Sequence, residues 1–122
     1  MPSVEPTMHL DELLRRLALN DEGAVSRATA PAVGAPGAPA LDAKTGSLVR
    51  LGALLSVGAT TASCRGAVEL ARAAGASDEE LVGVLMAVGP VVGGARVVSA
   101  APRLALAIDY DIEDADVAWE GP

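Results

Sequence analysis

The stretch Thr60-Thr-Ala-Ser-Cys-Arg-Gly-Ala-Val-Glu-Leu-Ala-Arg-Ala-Ala-Gly-Ala-Ser77 decides the fold. Thr60 or Thr61 can cap a helix start, and Gly75 supplies a stop, so a helix is expected over about 62–74. Cys64, Val68, Ala71 and Gly75 fall at i, i+4, i+7 and i+11, which gives that helix one apolar face. Ser77-Asp-Glu-Glu80 follows at once as a capping box, with Ser77 as N-cap and Glu80 reaching back. A second helix therefore starts at Asp78 and places Leu81, Val84, Leu85 and Val88 on one side.

The same helical period extends in both directions. Upstream, Asp42 caps a helix over 43–57 that carries Leu48, Val49, Leu51, Leu54 and Leu55 and ends at Gly58. Downstream, Gly89-Pro90 is expected to break the chain before a helix over about 92–108, kinked near Pro102. Near the N-terminus, Leu10, Leu13, Leu14 and Leu17 sit at i, i+3, i+4 and i+7, with acidic residues early and Arg15 and Arg16 late. No useful run of period-2 alternation occurs, and the fold class is all-α.

Four segments result. Residues 1–27 form an amphipathic helix and turn, and 28–40 an uncharged Ala/Pro/Gly linker that Pro31, Pro36 and Pro39 keep from being helical. Residues 41–108 form the helical core domain, and 109–122 an acidic tail with Trp119 as a weak candidate anchor. The charges follow this division. Of the net −7, residues 41–108 contribute nearly nothing, with six basic and five acidic groups, while 109–122 hold six acidic groups and no basic one.

Composition narrows the function classes. A 122-residue chain suits one domain, and its apolar half contains no Phe, one Tyr and one Trp. Small aliphatic side chains bury little area each, so burial between subunits is expected. The negative charge excludes nucleic acid as a default partner. One Cys and one His, His9, leave no Cys-rich metal site and no intramolecular disulfide, and no metal cluster or cofactor motif stands out. Gly93-Gly94 lacks the strand and spacing of a phosphate loop and suits close helix packing. No signal-like segment or apolar span occurs, so neither a membrane partner nor a location beyond the cytoplasm is expected.

An ordered set of signals identifies a relationship. Leu41-Asp-Ala-Lys-Thr45 opens an apolar helix, Ala73-Ala-Gly-Ala-Ser77 ends the next, and Asp78-Glu-Glu-Leu81 and Gly93-Gly-Ala-Arg-Val97 follow in turn. Over residues 41–108 the chain resembles the carboxymuconolactone decarboxylase family, which includes the alkylhydroperoxidase D branch. The resemblance implies an all-helical oligomer, a trimer, hexamer or related ring. It also implies a site at the start of the second core helix, where the redox branch carries C-x-x-C-x-x-x-H. A helix N-terminus and a base activate one thiol there, and the second thiol resolves the disulfide.

This chain departs from that motif. Counting back from Gly75 places Thr60, Ser63 and Ala67 at its three positions, and shifting to align Cys64 places Thr61, Cys64 and Val68 there. The accompanying acid would fall near Ser47 or Leu48. With one Cys and one His, a dithiol cycle within one subunit is excluded. Cys64 has two readings: a small packing residue on an apolar face, or a thiol in a helix first turn beside Arg65. It is the catalytic candidate. Arg96 and Arg50 are the candidates for binding a small anionic ligand, Arg96 otherwise pairing with an acid such as Glu69 or extending into solvent. Ser63 and Thr60 lack a neighbouring base and are expected as caps or surface residues. The expected function is a helical oligomer that has lost the dithiol chemistry and binds or scaffolds. The alternative is an enzyme with an altered site acting on a small carboxylated lactone or a peroxide.

Overall fold

A computed structural model describes residues 6–30 and 40–109. It contains α1 (Pro6–Ala18), α2 (Glu22–Ala28), α3 (Ala43–Val57), α4 (Thr61–Ala73), α5 (Asp78–Val92) and α6 (Gly94–Ala107). There is no strand among the described residues, and the all-α expectation holds. Residues 31–39, the proline-rich part of the expected linker, and 110–122 with Trp119 lie outside the described residues.

The chain divides into two compact units, Met1–Ala35 and Pro36–Pro122. In the first, α1 and α2 contact each other, and α1 holds an Arg16–Glu12 pair at 2.9 Å one turn apart. The helix α2 occupies a place where only a turn is expected. Asp21 caps it by accepting from the Ala24 N–H at 3.0 Å, and Arg27 complements its last turn. Seven residues are too few to show a helical period, so the sequence gives only the cap as a signal.

In the second unit α3, α4 and α5 each start at a side-chain cap. The Asp42 carboxylate accepts from the Thr45 N–H at 2.7 Å, and the Thr60 hydroxyl accepts from the Ser63 N–H at 3.2 Å. Ser77 and Glu80 complete the capping box at 3.1 and 3.0 Å. One boundary departs from expectation. Gly89-Pro90 does not end α5, which continues to Val92. A proline near a helix end forfeits one backbone hydrogen bond but already has a helical φ. The break falls at Gly93, whose φ of +89° is in the region that favours glycine. Similarly, α6 runs unbroken through Pro102.

The helix α3 packs against α4 and α5, and α6 packs against α4, α5 and α3. Their shared core holds Leu51, Leu55, Cys64, Val68, Leu81 and Leu104 among alanines, with no aromatic ring. Small residues let the helices approach. A Cβ on Gly52 would stand 3.3 Å from methyls of both Val84 and Val88. Val49, expected on the buried side of α3, is 58% exposed. The apolar residues of α3 surround the helix, so periodicity alone does not single out its buried face.

Candidate functional site

The groove between α3 and α4 opens into a cavity of about 310 Å³. From α3 it is lined by Ser47, Arg50 and Leu54; from α4 by Ala62, Ser63, Gly66, Ala67 and Leu70. Helical spacing produces this arrangement. Ser47, Arg50 and Leu54 fall at i, i+3 and i+7, and Ser63, Gly66, Ala67 and Leu70 at i, i+3, i+4 and i+7. Ala67 and Ser47 are buried, Arg50 is half-buried, and Ser63 is exposed at the rim.

Three of these positions coincide with those that the first register assigns to chemistry. Ser63 stands for a cysteine and Ala67 for the histidine, and Ser47 is one of the two places for the upstream acid; Leu48, the other, does not line the cavity. The fold brings all three to one cavity, Ser47 from α3 and the other two from α4. None offers a nucleophile paired with a base. The Thr60 hydroxyl is engaged twice with Ser63, capping its N–H and donating to its Oγ at 3.2 Å. Both residues thus serve the helix start, as expected.

The candidates separate in space. Cys64 points away from this cavity into the core, where it is fully buried with Val68 and Ala71. Burial pushes its thiol up, and the Arg103 charge opposes that shift without overcoming it. At neutral pH the group is a thiol and not a thiolate. The cation acting on it is Arg103, whereas sequence proximity pointed to Arg65. Arg65 instead donates to the Leu106 carbonyl at 2.8 Å. Arg96 is exposed on α6 and makes no ion pair with Glu69 or any other described residue. Its guanidinium lies over Gly58, 3.1 Å from where a Cβ there would stand. Of the three candidates, only Arg50 lines the cavity.

Arg103 carries no signal in its own neighbourhood, but it lies seven residues after Arg96 and therefore on the same face of α6. Its Nη1 donates to the Gly58 carbonyl at 3.1 Å, holding the end of α3. A second cavity, about 200 Å³, lies between α5 and α6 and is lined only by apolar residues, including Val82, Leu85, Ala101 and Leu104. No group of three or more potential metal ligands occurs among the described residues. None of their helices is long and apolar enough to cross a membrane.

A four-helix core unit with a cavity between its first two helices defines the class as an all-α helical domain. The family model described as "Carboxymuconolactone decarboxylase family" matches residues 24–106, more than half the chain, and the chain belongs to that family. No curated protein and no solved structure matches it significantly.

Proposed function

We propose that this protein is a family member that has lost the dithiol chemistry and uses the α3–α4 cavity to bind a small carboxylated molecule. The observation that carries this is the lining itself. A cavity of about 310 Å³ is within the range of small-ligand sites, and its one cation is Arg50. A guanidinium takes a carboxylate through two parallel hydrogen bonds, and Ser47 and Ser63 supply hydroxyls in the same cavity. Proton transfer needs a group that titrates near neutrality, and neither the cavity wall nor the buried Cys64 supplies one.

The binding unit in this proposal is a homo-oligomer in the cytoplasm. Its support is apolar surface without a partner in a single chain. Val57, Met86, Val91 and Val98 are each more than two-thirds exposed, and residues 81–95 contain no charged side chain. Burying such surface on a second copy would supplement a core made of small residues.

The test is titration with carboxymuconolactone, followed by ligand-observed NMR. Saturable binding that Arg50→Gln weakens about tenfold or more is the expected result, as for loss of a charge-assisted hydrogen bond. Equal binding by the variant would exclude the α3–α4 cavity as the site.

A further inference from the structure

We propose that the acidic C-terminal segment of this chain docks on an arginine seam formed by α4 and α6. The seam consists of Arg65 and Arg72 on α4 and Arg96 and Arg103 on α6, each pair spaced seven residues apart and so on one helix face. Contacts join the two pairs. Arg65 donates to the Leu106 carbonyl at 2.8 Å and Arg72 to that of Ile108 at 3.1 Å, at the point where the chain leaves α6. At the other end, Arg103 donates to the Gly58 carbonyl at 3.1 Å, and Arg96 lies over the same glycine.

Charge balance in this unit is uneven. Lys44 pairs with Glu80 at 2.8 Å and Arg72 with Asp78 at 2.9 Å. Arg65, Arg96 and Arg103 form no ion pair with any described residue. Arg96 and Arg103 converge instead, with Nη1 atoms 3.1 and 3.6 Å from one point above Gly58. Two guanidiniums held together without a carboxylate repel each other and attract an anion.

The segment 109–122 supplies the complement, with six acidic groups and no basic one. It begins at Asp109, beside the bonds from Arg65 and Arg72. Its reach is sufficient. Arg96 precedes Asp109 by thirteen residues, about 20 Å of helix at 1.5 Å per residue. The seven extended residues to Asp116 cover about 23 Å. Glu113, Asp114 and Asp116 can therefore meet Arg103 and Arg96, and covalent linkage keeps their local concentration high. This proposal is independent of the α3–α4 cavity, whose lining includes none of the four arginines.

Trp119 is the only tryptophan in the chain and stands three residues beyond Asp116, so its fluorescence reports docking in the intact protein. Acrylamide quenching and anisotropy of Trp119 are measured at low and high NaCl, in the wild type and in Arg96→Glu. Arg96 is exposed and makes no hydrogen bond with a described residue, so the variant retains the fold, which circular dichroism checks. High salt is expected to raise the quenching constant about twofold or more, because it screens exposed charges. Arg96→Glu should show the raised value already at low salt, and dilution should leave the wild-type value unchanged. A quenching constant that neither salt nor the variant alters overturns the proposal. A docked signal that dilution abolishes also overturns it, by assigning the segment to a second copy.

Discussion

At Cys64 the surroundings, more than the residue type, set the chemistry. The sequence placed this thiol in a helix first turn beside an arginine, an arrangement that lowers a thiol pKa. One residue step, about 100° around the helix, decides otherwise: Cys64 faces the core, and its neighbour Ser63 lines the cavity. A raised folded pKa means that above about pH 8.5 the unfolded chain releases a proton that the folded chain keeps. Stability should therefore fall with rising pH from there up to the folded pKa. Cys64→Ala should flatten that alkaline loss in denaturant titrations, and the native thiol should resist alkylation at pH 7 until the protein is unfolded. Rapid alkylation of the native protein would show that the thiol is accessible.

Helix ends were the most legible elements. Asp42, Gly58, Thr60 and Ser77 with Glu80 are local signals, because a cap is satisfied by residues two or three positions away. Ser77→Ala should cost about 1 kcal/mol in chemical denaturation. The Glu80 carboxyl is held below its ordinary value by the Lys44 hydrogen bond first and by the Ser77 backbone next. A depressed folded pKa contributes stability above the unfolded value near pH 4.3, and that contribution is lost as pH falls through the folded pKa. Glu80→Gln should thus reduce the acid-side slope of stability and leave the slope at pH 6–8 unchanged.

Other features were not local and could not be read in this way. Whether Pro90 ends α5 turns on its distance from the helix end, which Gly93 sets, and the face that α3 buries is ambiguous in an apolar helix. The family relationship rested on the order of short signals across residues 41–108, which is why it survived a missing motif. Ser47, Ser63 and Ala67 were identifiable one by one from the register count. That they share a cavity with Arg50, while Arg96 and Cys64 lie elsewhere, emerges only from how α3, α4 and α6 cross.

On the scale of the whole molecule, the stretch 81–95 has no charged side chain, whereas 109–122 holds six acidic groups. Sedimentation velocity is expected to give a mass above that of the 12.2 kDa chain, and Met86→Glu together with Val98→Glu to return it to the monomer value. A wild-type monomer at all concentrations would contradict the assembly. The proposed function is a ligand cavity kept without catalysis. Proton NMR of carboxymuconolactone in the presence of the protein tests it most directly, because bound ligand and decarboxylated product are seen in one spectrum. Saturable line broadening that Arg50→Gln removes is expected, with the lactone unchanged over time. Decarboxylation faster than in buffer, lost in Arg50→Gln, would contradict it.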